Sequence, residues 1–329
     1  MPEAEQSRTA GSSRRSGENA MSATVPTKRG AGGTPRIHGA RIEFPARLRL
    51  AGFVPLSFTS VADFGLAPAA EVFTQGFAGY YVPITATPAS LLGMVRQDSV
   101  DLTLSRIALL DGAPVAAAVI ARRGWTCRLA GMAVLPGARR QGFGRALMEQ
   151  LVTEARARGD RAMELEVIEQ NEPAVALYEN LGFLRMRRLT GHAGRPPTDP
   201  TATQPLEEID VREFARLVAV HGFPDLPWQI SAATLVHLGP PFQALRFGPS
   251  SVLISDPAVA PVSIRGIITE AGARGRGHAL ALLRAVFVRY PDREWRVGAI
   301  FPEDVAAIFA HAGLSVTSIS QWQMTKPLR

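Results

Sequence analysis

The apolar residues of the first half of the chain alternate between short runs and helical spacings. Five runs predict strands over residues 49–57, 101–110, 114–121, 125–134 and 162–168. Apolar residues three or four positions apart predict helices over residues 62–77, 87–96, 145–158 and 172–180. Asp111-Gly112 is a favoured hairpin turn and joins the second predicted strand to the third. A sixth strand, over residues 183–189, ends this half.

The second half repeats this order of elements in a shorter form. Predicted strands cover residues 242–247, 251–255, 262–269, 295–300 and 314–324, and predicted helices cover 206–221, 228–238, 280–290 and 303–311. Gly272-Ala273-Arg274 stands where the first half has Gly137-Ala138-Arg139, in both cases ahead of a helix. Repetition on this scale indicates two copies of one fold.

Shifts in composition divide the chain into segments. Residues 1–46 are rich in Ser, Gly, Thr and Arg, so we expect a disordered basic tail there. Residues 191–205 carry Gly, Pro and Thr without periodicity and are predicted to be a linker. One domain is therefore predicted over residues 47–190 and a second over residues 206–329.

Charge and cysteine content exclude several classes of site. Residues 1–50 carry most of the formal charge, +5 of +7, and the remainder of the chain is close to neutral, so no nucleic-acid partner is predicted. Cys127 is the single cysteine and lies in a predicted strand, which favours a core thiol and a reducing compartment. The six histidines lack metal-ligand spacing, and no metal is predicted. Apolar runs are too short for a membrane span, so we expect a cytoplasmic protein without a membrane partner.

The segment from Val134 to Gly144 joins a predicted strand to the helix predicted over residues 145–158. Its glycines let the backbone approach a ligand closely, and the free N–H groups of the first helical turn would point at that ligand. Arg139 and Arg140 add positive charge. Together these features predict a phosphate-binding turn.

Three separated motifs of the first half resemble those of the GNAT acetyltransferase superfamily. Arg139-x-x-Gly142-x-Gly144 is similar to its acyl-coenzyme A signature, and Asn171 and the helix end 177–183 (Leu-Tyr-Glu-Asn-Leu-Gly-Phe) follow in the same order. The resemblance covers roughly residues 49–189. It implies an α+β (α/β) fold of two tandem GNAT-like domains, each with a mixed, mostly antiparallel sheet flanked by helices. It also implies an acetyl-CoA-dependent N-acetyltransferase that transfers an acyl group directly to a primary amine.

The resemblance places coenzyme A on a strand end, the glycine-rich turn and one asparagine. The implied cofactor-binding residues are Met132, Ala133, Val134, Arg139, Arg140, Gln141, Gly142, Phe143, Gly144 and Asn171. The backbone of the strand end would pair with the pantetheine arm, and the turn would hold the pyrophosphate. Acetyl-CoA is thus the expected co-substrate.

The resemblance also implies roles in catalysis and in acceptor binding. Tyr178 would protonate the leaving thiolate, because a phenol with an ordinary pKa near 10 can donate at neutral pH. Glu166 shares a strand face with Glu164 and would act as general base, directly or through water. Tyr80 and Tyr81 lie in the loop that borders the acceptor pocket in this superfamily. For each of these residues the alternative role is structural, as packing or as a surface charge.

The second half departs from the pattern at several positions. Arg274-Gly275-Arg276-Gly277 keeps the spacing, but Glu270 replaces a leucine and would repel an anion if it faced one. Phe309 stands in place of the tyrosine and cannot donate a proton, and Pro302 stands in place of the asparagine. These changes predict a degenerate copy that is structural or at most binds cofactor, with one cofactor per chain and the active site in the first domain.

Two further interpretations stay open beside the acetyltransferase. One is a non-catalytic acyl-CoA-binding or regulatory module, which turnover of any amine would exclude. The other is nucleic-acid binding through the tail, which would depend strongly on salt. The acceptor, a small-molecule or peptide amine, is not specified by the sequence, and neither is the oligomeric state.

Overall fold

The computed structural model describes residues 56–197 and 205–328. The basic tail predicted over residues 1–46 lies outside the described residues. The first predicted strand lies largely outside them as well. One compact unit, Phe44–Arg329, contains every element described below.

Twelve strands and nine helices follow one another along the described residues. The strands are β1 (Leu56–Ser60), β2 (Val100–Leu110), β3 (Ala113–Arg123), β4 (Thr126–Val134), β5 (Ala162–Ile168), β6 (Leu184–Gly194), β7 (Glu207–Ile209), β8 (Gln243–Phe247), β9 (Ser250–Ile254), β10 (Val262–Thr269), β11 (Trp295–Pro302) and β12 (Ser315–Pro327). The helices are α1 (Val61–Phe64), α2 (Leu66–Gly76), α3 (Pro88–Asp98), α4 (Phe143–Ala157), α5 (Glu172–Asn180), α6 (Val211–His221), α7 (Ala232–Leu235), α8 (His278–Arg289) and α9 (Glu303–His311).

Local chemistry sets several of these boundaries. Asp111 and Gly112 have φ of 54° and 76°, as the predicted two-residue hairpin turn requires. The Thr87 hydroxyl accepts from the Ser90 amide at 3.0 Å and caps α3. Gly65, with φ of 97°, breaks the helix predicted over residues 62–77 into α1 and α2.

All twelve strands belong to one sheet in the order β1-β2-β3-β4-β5-β12-β6-β11-β10-β9-β8-β7. The β4–β5 and β10–β11 pairs are parallel, and the other pairs are antiparallel. Each half contributes one parallel pair, so the mixed, mostly antiparallel character predicted for each domain is confirmed.

The two halves exchange their last strands at the centre of this sheet. Strand β12 lies beside β5, where Gln323 is opposite Glu166, and β6 lies beside β11, where Trp295 is opposite Gly194. The sequence pattern predicts both strands but does not identify their neighbours. Neither half therefore has a complete sheet without the other.

The core of the first half surrounds β3, which is buried from Pro114 to Ala121 on both faces. Helices α2 and α4 both contact this strand. The apolar face of α4 supplies Leu147, Met148 and Leu151, each no more than 1% exposed. This packing fixes the N-terminus of α4 beside the end of β4.

Several elements differ in length or type from their predictions. The helix predicted over residues 206–221 is the short strand β7, Glu207–Ile209, followed by α6, Val211–His221. Strand β6 continues to Gly194, so its last four residues lie in the segment predicted as a linker. The helix predicted over residues 228–238 is a 3-10 turn, Trp228–Ile230, followed by the short α7. Within the described ranges, no helix is long and apolar enough to cross a bilayer.

Candidate active site

Strands β4 and β5 separate partway along their length and leave a cleft. They pair only through Thr126–Leu129 and Ala162–Leu165. A bulge at Ala130 interrupts the pairing of β4 with β3, because Leu129 is opposite Ile120 whereas Gly131 is opposite Val119. Beyond the bulge, residues 132–134 pair with β3 alone. Their edge toward β5 can accept an extended, amide-bearing ligand as an added strand.

A turn at the end of β4 forms a cradle of backbone amides. It consists of a 3-10 turn, Pro136–Ala138, and a loop in which Arg140 and Gly142 have φ of 63° and 88°. The N–H groups of residues 141–144 find no acceptor within the described part of the chain. Since these amides precede and open α4, they suit a phosphate.

The lack of a side chain at Gly144 keeps the cleft open beside the cradle. A Cβ atom built there would lie 3.4 Å from Val134 Cγ2 and 3.7 Å from Leu177 Cδ2. Any larger group would fill the space between β4 and α5.

Arg139 links the cradle to helix α2 through hydrogen bonds. Its guanidinium donates to the carbonyl of Val134 at 3.2 Å and to that of Gly76, at the end of α2, at 2.9 Å. Arg140 and Gln141 are exposed, and Gln141 donates to the Gly137 carbonyl at 2.8 Å. Both arginines of the turn are exposed, but within the described residues only the Arg139 guanidinium is engaged with backbone carbonyls.

Three tyrosines and Asn171 come together where the cleft meets the loop between α2 and α3. The Tyr178 side chain is 6% exposed, and its hydroxyl has no hydrogen-bond partner among the described residues. Burial raises the pKa of Tyr178 well above its usual value, and the nearby Tyr80 adds a smaller rise. Burial also raises the pKa of Tyr80, and the facing Asn171 side chain opposes that rise. Tyr81 donates to the Gln170 carbonyl at 2.6 Å and so joins the loop to the segment before α5.

Residues 83–183, which contain the cleft, the cradle and α5, match the model of the acetyltransferase (GNAT) family. This segment is a GNAT acetyltransferase domain. The GNAT family uses acetyl-CoA.

Sequence relatives of this GNAT domain include named N-acetyltransferases. The ribosomal protein bS18-alanine N-acetyltransferase of Escherichia coli K12 is 52% identical over 52 residues, which are 16% of this chain and 35% of that protein. The Salmonella typhimurium enzyme is 48% identical over the same length. The chain thus spans about a third of the length of the curated relatives it matches.

Solved GNAT structures resemble both halves of the chain in fold. A GCN5-related N-acetyltransferase from Sphaerobacter thermophilus aligns with a TM-score of 0.59 and 16% identity, covering 83% of this chain and 96% of that one. A tandem GNAT protein from the clavulanic acid biosynthesis pathway aligns with a TM-score of 0.55 and 18% identity, covering 84% and 99%. At these identities the likeness concerns the fold, and it supports a tandem GNAT arrangement.

Glu166 lies in the GNAT domain where β4 and β5 begin to separate, and it is engaged in a buried ion pair. Its carboxylate lies 2.6 Å from Arg128 Nη2, and the two side chains are 4% and 6% exposed. With its amide oriented to satisfy both partners, Gln229 donates to Glu166 Oε1 at 3.2 Å and accepts from Arg128 Nη2 at 2.6 Å. On the same strand, burial and then the neighbouring Glu166 raise the pKa of Glu164.

The second half supplies parts of this site that the sequence analysis missed. Gln229 comes from the turn before α7, and the Gln170 amide donates to the Ser318 carbonyl at 2.9 Å. Neither contact carries a sequence signal, because each joins residues that lie far apart in the chain. Arg128 could have been suspected as a charged residue inside an apolar strand pattern.

Other chemistry is limited within the described part of the chain. Burial, with Asp160 as the next cause, raises the pKa of the Cys127 thiol to about 12, which suits an inert core residue. Among residues 56–197 and 205–328, no group of three or more His, Cys, Asp or Glu could hold a metal ion.

Proposed function

We propose that this protein is an acetyl-CoA-dependent N-acetyltransferase that transfers an acyl group directly to a primary amine, with its active site in the first half. The observation that carries the proposal is the cradle of free amides at the start of α4, which follows directly on the free edge of β4. The unpartnered hydroxyl of Tyr178 supports it. The single buried cysteine fits a reducing compartment, so the proposal includes a cytoplasmic location.

The residues present fit coenzyme A at three points. The amides of residues 141–144 would hold the pyrophosphate, the backbone of residues 132–134 would pair with the pantetheine amides, and Asn171 would bind the arm nearby. The lack of a side chain at Gly144 keeps this position from narrowing the space between β4 and α5 further. When bound, acetyl-CoA supplies an acetyl group activated as a thioester.

Tyr178 is the proposed proton donor to the leaving sulfur. Its raised pKa keeps the hydroxyl protonated throughout the neutral range, and its free donor is not committed to another residue. Glu166 is the proposed general base for the acceptor amine. Arg128 and Gln229 both contact the Glu166 carboxylate. To act as base, Glu166 would therefore have to accept the amine proton on an oxygen that already accepts a hydrogen bond.

Tyr80 and Tyr81 are the proposed acceptor contacts. They form an edge-to-face pair with centroids 5.5 Å apart at the mouth of the cleft. An aromatic rim of this kind suits an amine carried on a small molecule or a flexible peptide. Since the Escherichia coli relative is named for a ribosomal protein alanine, peptides with a free N-terminal alanine are the first acceptors to test.

The test is Tyr178→Phe in the full chain, assayed with acetyl-CoA and a panel of small amines and peptides. We expect kcat to fall by about 10²–10⁴, the usual contribution of a positioned acid, with the Kd for coenzyme A unchanged. Tyr290→Phe is the matched control, because it removes a hydroxyl that donates to Gln243 in the second half.

An unchanged rate in Tyr178→Phe would assign that residue to packing. Coenzyme A binding without turnover of any amine by the wild type would favour the non-catalytic acyl-CoA-binding module instead.

A further inference from the structure

A residue of the second half completes the hydrogen bonding of the Glu166 carboxylate. Arg128 contacts one carboxylate oxygen, Oε2, with two of its nitrogens, since Nε lies 2.8 Å and Nη2 lies 2.6 Å from it. The other oxygen, Oε1, accepts from the side-chain amide of Gln229 at 3.2 Å. Within the described ranges, Gln229 is therefore the one side chain that donates to Oε1.

This arrangement makes the two oxygens of the carboxylate different. An ionised carboxylate offers about four lone-pair sites, shared between its oxygens. The contacts from Arg128 use those of Oε2, whereas the single bond from Gln229 leaves part of Oε1 free to accept a further proton. Oε1 is thus the oxygen suited to act as base, and Gln229 is the residue that fixes its direction.

The turn that carries Gln229 is held by both halves of the chain. Trp228 is 6% exposed, and its indole N–H donates to the carbonyl of Asp98, the last residue of α3, at 2.8 Å. The Arg123 guanidinium stacks on the Trp228 ring, 4.2 Å from its centroid. On the other side, Ile230 is buried in the core of the second half. Both chain neighbours of Gln229 are therefore fixed.

Hydrogen bonds around the same turn hold it against the first half. The Trp228 carbonyl accepts from the hydroxyls of Ser231 and Thr234, each at 2.7 Å. These two hydroxyls in turn accept from the Arg123 guanidinium, each at 2.9 Å. Because Arg123 belongs to β3, the turn keeps its position relative to the sheet that carries Glu166.

Other polar side chains on this face of the sheet do not replace Gln229. Gln323 lies opposite Glu166 on β12 and is 2% exposed, but its amide N–H donates to the Asp225 carbonyl at 3.4 Å. The charged groups that share this part of the face are Arg128, Glu164, Arg187 and Asp225. Arg187 and Asp225 pair with each other. The amide of Gln229 is thus the neutral donor that faces the proposed base.

We propose that Gln229 is a positioning residue for the proposed active site: its amide directs Oε1 of Glu166 toward the acceptor amine and favours the ionised carboxylate. The second half then contributes to the reaction of the first half. This inference rests on the proposed function, in which Glu166 is the general base. It assigns a role to a residue outside the segment 83–183 that matches the family model.

The test compares Gln229→Met and Gln229→Glu in the full chain. Methionine has a similar length but no N–H donor, whereas glutamate keeps an acceptor for Arg128 and loses the donor to Glu166. A hydrogen bond to a charged group favours the ionised form. Its loss in Gln229→Met should therefore move the acid limb of the pH profile of kcat/KM upward by about one pH unit. In Gln229→Glu the added negative charge should move this limb further upward.

The kinetic constants provide a second readout. In both variants kcat should fall about tenfold because Oε1 is no longer directed, while the KM values for acetyl-CoA and the amine change less than about twofold. Gln243→Met is the matched control, because Gln243 is a partly exposed glutamine of the second half whose oxygen accepts from Tyr290 at 2.7 Å. It should change neither the pH profile nor kcat. A pH profile in Gln229→Glu that matches the wild type would refute the proposal and leave Gln229 a packing role.

A measurement that needs no turnover separates this inference from the proposed function. Carbon NMR of protein with isotope-labelled glutamate carboxyl groups follows each carboxylate as the pH changes, and the Glu166 resonance is the one missing from Glu166→Gln. This resonance should titrate about one pH unit higher in Gln229→Met than in the wild type. An unchanged titration would refute the inference, whatever the activity.

The combined outcomes identify which proposal fails. If the wild type acetylated no amine, the proposed function would fail, and the titration would still decide whether Gln229 favours the ionised carboxylate. Full activity in Glu166→Gln would refute Glu166 as the base and with it the positioning role of Gln229. N-acetyl transfer by the protein would stand in that case.

Discussion

The buried pair formed by Arg128 and Glu166 allows the catalytic and structural roles of Glu166 to be separated. In Glu166→Gln the side chain keeps its shape, but Arg128 loses the charge that balances it. Both side chains are more than nine-tenths buried and 2.6 Å apart. Breaking such a pair from one side costs about 3–5 kcal/mol of unfolding free energy, because a buried charge is left uncompensated.

Urea denaturation of the full chain measures this cost. A loss of about 3–5 kcal/mol corresponds to a fall in Tm of about 4–8 °C, because an unfolding entropy of about 2.1 cal/mol/K per residue is large in total for a chain of 329 residues. A loss below about 1 kcal/mol would refute the reasoning, since it would mean that the arginine charge finds solvent or another partner.

The double variant Arg128→Met with Glu166→Met removes both charges at similar volume. The free energy of unfolding should return to within about 1–3 kcal/mol of the wild-type value. The remaining loss comes from the Gln229 amide, whose two hydrogen-bond partners have been replaced. If Glu166 is the base, kcat stays about 10²–10⁴ below wild type in both variants. If the residue only holds β4 and β5 together, activity returns with stability in the double variant.

Two further expectations concern packing. Because burial raises the pKa of Cys127 to about 12, iodoacetamide should label the protein only after unfolding, and rapid labelling of the native protein would contradict this. Gly76→Ala should cost about 1–3 kcal/mol in urea denaturation, since its Cβ would lie 2.6 Å from that of Ala133. Gly93→Ala in α3, where a Cβ meets nothing within 4 Å, is the control and should be stabilising, so equal effects would contradict the reasoning.

Elements with local signals were predicted from the sequence with their correct bounds. Helices α5 and α9 and strand β10 begin and end where their periodicity and flanking residues indicate. Capping, turn chemistry and amphipathic spacing depend on residues that are only a few positions apart. A single sequence is therefore enough to recognise them. The same local signals predicted the cradle before α4.

Contacts between distant segments could not be predicted in the same way. Strand periodicity identifies a buried face but not the neighbouring strand, so the exchange of β6 and β12 had no sequence signal. Gln229 contacts Glu166 from a turn that lies 63 residues further along the chain, and Glu270 pairs with Arg246 of β8 at 3.0 Å. The gathering of Tyr80, Asn171 and Tyr178 was expected only because the family resemblance implied it. Their roles stay predictions until the variants are assayed.

The exchange of last strands bears on how this duplicated protein can evolve. Residues 321–323 of β12 lie opposite residues 166–168 of β5, so the end of the chain forms a wall beside the proposed base. A second copy that had lost all chemistry could not be deleted, because its final strand would leave with it. Mutations in β12 would be selected partly for their effect on the proposed active site. If the gene were split between the two halves, the two protein fragments would have to associate before the sheet of either half was complete.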